Sequence, residues 1–364
     1  MPGVYISYPF CAQKCTYCNF ASDVFTGGLE GNYLEALLAE ISVHEFAWLP
    51  DTVYLGGGTP SRLEGVDLQK VLGSVPGAPW REATIEVAPG GLTRERVVEW
   101  HRAGVNRVSL GVQSFVAKEL SRTGRKHTAE IVATEVEILR DAGLSNFNID
   151  LIAGLPGQSM SSWRESLVWI ERLEPPHVSV YMLEIDEDSR LGKEVLLNGK
   201  RYGAPEIPAD ELTADLYETA VEELRRIGIH RYEISNFARP GFESLHNLKY
   251  WRLEPYVGFG VDAHSFDGGL RFQNVESPRE YIDRMRQGQS TRINTTTANQ
   301  SEEHFFVGLR LSEGIRPNED EWARFDAPIR RFLTEGLLTS EAGNLRLTNR
   351  GVLLSNEVFA EFIE

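Results

Sequence analysis

Outside one eight-residue stretch this 364-residue chain has no cysteine. The three it has are Cys11, Cys15 and Cys18, in a C-x3-C-x2-C spacing. An odd count excludes a fully paired disulfide framework, and the spacing is no common zinc pattern, which needs four ligands. Long apolar runs are lacking too: none reaches the ~18 residues that would suggest a membrane span. Positive charge is short, with 37 Lys and Arg against 53 Asp and Glu, a net charge of −16. Broad nucleic-acid binding needs a basic surface, so the reading expects no nucleic-acid partner. The first residues, Met1-Pro-Gly-Val-Tyr-Ile, enter a strand-like run at once, and no signal or transit peptide is expected. There is no low-complexity segment. Clustered free thiols need a reducing compartment, which points to the cytoplasm. Peripheral contact with the inner face of a membrane stays open.

What is present is the cysteine cluster. Soft thiolates at such spacing favour iron–sulfur ligation. Three of them hold three irons of a [4Fe–4S] cube and leave the fourth iron open to another ligand. On the residues alone, three buried thiols, or a zinc site completed by a distant histidine, are the alternatives.

Along the first ~190 residues short apolar runs alternate with amphipathic stretches, the mark of βα units around a parallel sheet. Strands are expected at residues 4–10, 52–55, 84–87, 107–113, 147–152 and 177–183. Tyr33, Leu34, Leu37, Leu38 and Ile41 recur at helical spacing. Further helices are expected from near Thr93, over 129–141 with Gly143 as the stop, and after a Ser162-x-x-Glu165 capping box. Six units predict an α/β fold, a partial (β/α)6 TIM-like barrel rather than a closed eight-unit one. Residues 193–208 read as a loop and 209–227 as a long amphipathic helix. A polar Thr/Asn-rich stretch at 291–301 suggests a boundary, giving domains 1–292 and 293–364. The second reads helix, helix, strand, a Gly343-Asn344 turn, strand and helix, a smaller winged-helix-like α+β domain. With this net charge a structural or docking role is favoured over DNA binding.

In parallel α/β folds ligands sit at the C-terminal ends of the strands. There the sequence places Gly56-Gly57-Gly58-Thr59-Pro60, whose glycines admit close backbone approach. Glu86 interrupts an apolar strand and could accept from ribose hydroxyls, Gln113 ends the fourth strand, Arg125 follows it, and Asp150 interrupts the fifth. Singly each is an ordinary fold residue; together, near one rim, they favour a polar ligand.

The cysteine motif, Gly56-Gly-Gly-Thr-Pro60, Thr84-Ile-Glu-Val-Ala-Pro89, Val108-Ser-Leu-Gly-Val-Gln-Ser114, Asp150-Leu-Ile-Ala-Gly-Leu-Pro-Gly157 and Leu347-Thr-x-x-Gly351-x-Leu-Leu-Ser-Asn-Glu357 occur in order. Over nearly the whole chain this set resembles the oxygen-independent coproporphyrinogen oxidase branch of the radical SAM proteins. The resemblance implies a [4Fe–4S] cluster on Cys11, Cys15 and Cys18, with S-adenosylmethionine (SAM) at the open iron. Tyr5 and Tyr17 would flank cluster and cofactor, the Tyr17 ring lying against an adenine. Gly57, Gly58 and Thr59 would contact the methionine part of SAM, and Glu86, Gln113, Arg125 and Asp150 its ribose and charged groups. The superfamily's chemistry is reductive SAM cleavage to methionine and a 5′-deoxyadenosyl radical.

Two features depart from the oxidase. Its motif continues to a fourth cysteine where this chain has Phe20, and its N-terminal extension has only ten residues here to correspond to it. Both match heme chaperones of the HemW type, which bind heme and deliver it to respiratory proteins. The run His246-Asn247-Leu248-Lys249-Tyr250-Trp251 resembles their H-N-x-x-Y-W signature, making His246 a candidate heme ligand, with His264 a second. The residues alone favour a hydrogen-bonded core histidine. The leading reading is thus a heme-binding chaperone with cluster and SAM, whose partners are heme, recipient hemoproteins and an electron donor. Membrane-bound recipients and a homodimer stay open. Coproporphyrinogen III oxidation, or radical SAM chemistry on an unrelated substrate, are the alternatives.

Overall fold

The computed structural model describes residues 1–11, 14–18, 23–24 and 28–363. Phe20, where the oxidase motif has its fourth cysteine, lies outside them. Six parallel strands form the centre: β1 (Gly3–Tyr8), β2 (Thr52–Gly57), β3 (Glu82–Val87), β4 (Arg107–Gln113), β5 (Phe147–Ala153) and β6 (His177–Met182). Helices α1 (Leu29–Val43), α2 (Gly65–Gly73), α3 (Arg94–Arg102), α4 (Ala117–Thr123), α5 (Ala129–Asp141) and α6 (Met160–Leu173) make the crossovers. This is the expected partial (β/α)6 barrel. The sheet continues at both ends. β7 (His230–Arg231) and β8 (Asn236–Ala238) add antiparallel beyond β6, and β9 (Tyr256–Phe259) adds parallel beside β1. Outside β9 lie the antiparallel β10 (His264–Phe266), β11 (Leu270–Asn274) and β12 (Arg292–Thr297). Twelve strands run in the order β12-β11-β10-β9-β1-β2-β3-β4-β5-β6-β8-β7. Residues 292–297, in the polar stretch read as a boundary, are therefore an edge strand of this sheet.

Successive strand residues point to opposite faces. Here the alternation separates two kinds of interior. Val4, Ile6, Val53, Leu55, Ile85, Val108, Leu110, Ile149, Val178 and Val180 belong to one buried apolar cluster with Leu37, Leu72, Trp100, Val136 and Trp163 of the helices. The intervening positions carry Tyr5, Tyr54, Glu82, Glu86, Arg107, Ser109, Asn148, Asp150, His177 and Ser179. Strands buried on both faces usually read as continuous apolar runs. This barrel has a polar lumen instead, in which Tyr54 pairs with Glu86, Ser109 and Asn148 with Asp150, and His177 with Asn148, while Arg107 Nε stands 3.9 Å from Glu82 without a hydrogen bond.

Four local expectations need correction. The capping box of α6 is Ser159 with Ser162, not Ser162 with Glu165: Ser159 Oγ accepts from Ser162 N at 3.3 Å and Ser159 N donates to Ser162 Oγ at 3.0 Å. A serine takes the N3 role usual for Glu or Gln, which hid the true start. Within the expected loop at 193–208 lie most of α7 (Arg190–Leu196) and a kinked pair of turns over Arg201–Glu206, broken at Tyr202 and Gly203, whose φ values are positive. Ser189 caps α7 by accepting from Gly192 N at 2.9 Å, a start signal masked by the glycine. The C-terminal hairpin, β13 (Leu338–Glu341) and β14 (Asn344–Leu347), turns at Ala342–Gly343, one residue earlier than expected. Both turn residues have positive φ, 49° and 77°, as a two-residue type I′ loop demands, while Asn344 pairs with Glu341. The long helix α8 (Asp210–Arg226) follows expectation, and α9 (Leu245–Trp251) and α10 (Pro278–Arg286) come after it. Around the hairpin, where two helices before and one after were expected, three precede it, at Gln300–Phe306, Glu319–Arg324 and Asp326–Glu335, and two follow, at Asn349–Leu353 and Ser355–Ala360.

Candidate cluster and cofactor site

Cys11 lies just past the C-terminal end of β1, in a short parallel pairing of Phe10–Cys11 with Asp23–Val24. Cys15 and Cys18 follow on a loop fastened at three points. Thr16 N donates to Thr123 O at 3.2 Å, Thr16 Oγ1 donates to Arg122 O at 3.2 Å, and Leu191 N donates to Thr16 O at 2.8 Å. The end of α4 and the start of α7 thus hold the loop over the rim. Among the described residues no three His, Cys, Asp or Glu side chains converge on one metal position. A cube does not ask for that, because each thiolate takes a different iron. Three half-buried thiols on one loop, with no competing cysteine, fit such a cluster by donor chemistry.

Arg125 joins the loop to the strand ends. Its guanidinium lies beside Tyr17 and Cys15, and its Nε is buried with no hydrogen-bond partner among the described residues. Burial raises the Tyr17 phenol above its usual range, against the pull of Arg125. At Gly111 a Cβ would stand 3.1 Å from Gln113 Nε2 and 3.5 Å from Arg125 Nη2, so both side chains lie over this glycine. Gln113 holds φ 71°, rare for its type, where the β4–β5 register shifts. Such a bulge re-aims a side chain at a rim.

The glycine run is tied to the strand that carries Cys11. Gly58 N donates to Tyr8 O at 2.7 Å and Thr59 N to Phe10 O at 2.9 Å. A Cβ on Gly58 would come within 2.7 Å of Phe10 O. Gly57, at φ 101°, donates its N–H to Glu86 Oε2 at 3.2 Å. All three N–H groups of Gly57, Gly58 and Thr59 are therefore engaged within the protein. A ligand's ammonium would meet the carbonyl side of this run.

Glu86 also accepts from Tyr54 OH at 2.9 Å. Burial, with the nearby charge of Asp150, pushes its pKa up to about 7. Asp150 is raised chiefly by burial, and it accepts from Asn148 Nδ2 at 2.6 Å and Ser109 Oγ at 3.3 Å. Tyr5 stacks on Tyr54 with ring centroids 6.1 Å apart, and its phenol is raised by burial and then by Glu86. The structure thus brings Tyr5, Gly57, Glu86 and Asp150 together around Tyr54, and Tyr17, Gln113 and Arg125 together beside Cys15. Sequence reading missed Tyr54, Ser109, Asn148 and His177. The signal available for them was the period-2 recurrence of polar residues in every central strand.

His246 is the sequence-nominated residue that the structure sets elsewhere. It lies on α9 at the opposite, N-terminal end of the barrel, 1% exposed. Its Nδ1 is 2.9 Å from Thr52 Oγ1, at the start of β2, and its Nε2 is 2.8 Å from Tyr250 OH. With both ring nitrogens engaged and burial holding its pKa down to about 3, the ring has no nitrogen to offer iron in this conformation. Glu82 caps the same helix, accepting from Leu245 N and His246 N at 2.9 Å each. The His-Asn-x-x-Tyr-Trp run is the floor of the barrel. His264, by contrast, is exposed, with Nε2 3.9 Å from Asp262 Oδ1.

A barrel of this kind, with a three-cysteine loop above the strand ends, defines the class. Residues 5–170 match the radical SAM superfamily and residues 296–354 the HemN C-terminal domain. The solved coproporphyrinogen III oxidase HemN of Escherichia coli, a radical SAM enzyme, superposes with a TM-score of 0.84 at 21% identity, covering 99% of this chain and 90% of that one, which shows a shared fold. Within the class, the heme chaperone HemW of Bacillus subtilis is 35% identical over 381 residues, spanning 100% of this chain and 99% of that protein. HemW of Escherichia coli K12 is 33% identical, covering 99% of this chain and 98% of that protein. The chain belongs to the HemW heme chaperone family of the radical SAM superfamily. No described helix is long and apolar enough to cross a membrane.

Proposed function

We propose that this chain binds heme and passes it to recipient hemoproteins, membrane-bound ones among them, on a scaffold that also binds a [4Fe–4S] cluster and SAM. The observation that carries the reading is the end-to-end similarity to proteins named for heme chaperoning, together with the rim that gathers around the cysteine loop. Cys11, Cys15 and Cys18 would hold the cluster, which when reduced supplies an electron to the SAM sulfonium. Gly57, Gly58 and Thr59 would receive the ammonium of SAM through their carbonyl side. Arg125 and Gln113 would take its carboxylate, Glu86 and Asp150 its ribose hydroxyls, and Tyr5 and Tyr17 would flank it. Arg125 suits a carboxylate because its planar donor fork matches two oxygens. Neither His246 nor the barrel floor enters this reading. Of the two nominated histidines, only His264 has a ring open to an incoming macrocycle.

The test is anaerobic reconstitution with iron and sulfide, followed by hemin titration and, in parallel, incubation with reductant, SAM and coproporphyrinogen III. Retained hemin and unchanged coproporphyrinogen are expected. Decarboxylated product would replace the chaperone reading with oxidase chemistry.

A further inference from the structure

We propose that Tyr232, His177 and Asn148 form a positioning chain that sets Asp150 for its ligand. The inference rests on the reading of Asp150 as a SAM contact. The links are short and buried: Tyr232 OH to His177 Nε2 at 2.9 Å, His177 Nδ1 to Asn148 Oδ1 at 2.7 Å, and Asn148 Nδ2 to Asp150 Oδ1 at 2.6 Å. β5 and β6 supply the register, with Asn148 opposite His177 and Asp150 opposite Ser179. Tyr232 comes from the segment after β7, and Ser244 N donates to its hydroxyl at 3.2 Å. The chain runs from the segment leading into the floor helix to the rim.

Its polarity is fixed by its ends. A carboxylate can only accept, so the Asn148 amide nitrogen must face Asp150 and its oxygen must face His177. That oxygen requires a donor, which makes His177 the Nδ1–H tautomer with Nε2 as acceptor. Tyr232 then donates its hydroxyl proton to Nε2. The reverse arrangement would set the Asn148 oxygen against the carboxylate. Burial and the nearby Arg107 guanidinium keep the ring neutral, as this tautomer needs. Ser109 adds to the hold, accepting from Asn148 Nδ2 at 2.8 Å and donating to Asp150 Oδ2. Apolar side chains would fill a barrel interior without any pairing requirement. A directional polar chain ending on one carboxylate does something packing alone does not: it fixes the plane of that carboxylate.

The test uses the full-length, anaerobically reconstituted protein and equilibrium SAM binding, normalised to cluster content. His177→Phe removes the donor to Asn148 and so frees the Asn148 amide that holds Asp150; it is expected to weaken SAM by about tenfold, the scale of that hydrogen bond to a charged group. His177→Asn keeps a donor near the Nδ1 position and is expected to recover most of that loss. Tyr232→Phe, which removes one hydroxyl and keeps the ring, is expected to weaken SAM by about threefold. In an Asp150→Ala background the same changes are expected to add nothing, since what they orient is gone. Wild-type affinity in His177→Phe and Tyr232→Phe, or an undiminished effect in the Asp150→Ala background, overturns the positioning role. If Asp150→Ala itself binds SAM like wild type, the reading of the rim falls and takes this inference with it.

Discussion

Glu86 and His246 lie in one barrel, and burial moves them in opposite directions. For Glu86 the folded pKa, about 7, stands above the ordinary carboxylate value. The native state then holds the extra proton between about pH 4.5 and 7, so stability falls as pH rises through that window and levels off above it. Thermal unfolding of the unliganded protein is expected to lose this slope in Glu86→Gln, and an unchanged slope would assign it to another group. His246 is depressed instead, so its contribution is present near neutrality and is lost as pH falls below about 6.5. His246→Ala removes both the Thr52 and Tyr250 partners and empties space under Tyr54, whose ring lies 5.3 Å away. A loss of about 2–4 kcal/mol in denaturant unfolding is expected, the range for unpaired buried polar groups with a cavity. Hemin affinity per folded molecule should not change. That Gly57, Glu86, Gln113 and Arg125 gather at one rim was legible because strand ends in parallel folds are known positions. Asn148 and His177 were not, because a polar residue one or two places inside a strand looks the same whether it faces solvent, a helix or a lumen.

Short-range signals decide how far an element can be read. α5 falls at Ala129–Asp141, as the sequence suggests, since Thr128 caps it, accepting from Ile131 N, and Gly143 at φ 81° ends it. α6 shows the failure: three serines stand at its start, at 159, 161 and 162, and only the geometry says which is the cap. Ser159→Ala is expected to cost about 1 kcal/mol, the worth of an N-cap, and Ser162→Ala somewhat less. Glu165→Ala, one turn inside, should leave the unfolding midpoint within about 0.5 kcal/mol of wild type. Equal losses at Ser159 and Glu165 would restore the sequence-based start. The floor helix α9 follows the same logic at longer range. Ser244 caps it locally, accepting from Asn247 N, and Glu82, 162 residues earlier in the chain, accepts from the next two N–H groups. No window along the chain could have paired Glu82 with that helix.

The whole molecule is a barrel whose two ends do different work, and the C-terminal region is clasped to its side. Strand count and the βα alternation carried the fold, because an apolar face on every central strand demands helical cover. The strands on either side of the six did not announce themselves, being two to six residues long and antiparallel except β9. The clasp was also invisible, because it joins Glu233 and Tyr232 to Arg310 and Ser312, far along the chain. Glu233, fully buried, accepts from Ser235 N and Asn236 Nδ2 through one oxygen. Its other oxygen faces Arg310 at 3.6 Å, and the Arg310 guanidinium covers the Trp251 ring at 4.4 Å. Backbone pairing continues the contact, with Ser312 N donating to Tyr232 O at 2.9 Å. Burial raises the Glu233 pKa and Arg310 offsets this, so loss of the arginine leaves a buried carboxylate without its counter-charge. Arg310→Met is therefore expected to destabilise by about 3–5 kcal/mol near neutral pH. Because the raised acid can escape by taking a proton, the deficit should shrink as pH falls and grow as it rises. Glu233→Gln added to Arg310→Met should restore most of the loss, since a neutral amide keeps one acceptor for Ser235 and Asn236 and carries no charge. Urea unfolding of the two variants at pH 5.5 and 8 reads both effects at once. A deficit independent of pH, or one that the second substitution does not relieve, would show that Arg310 acts through packing on Trp251 and not through Glu233.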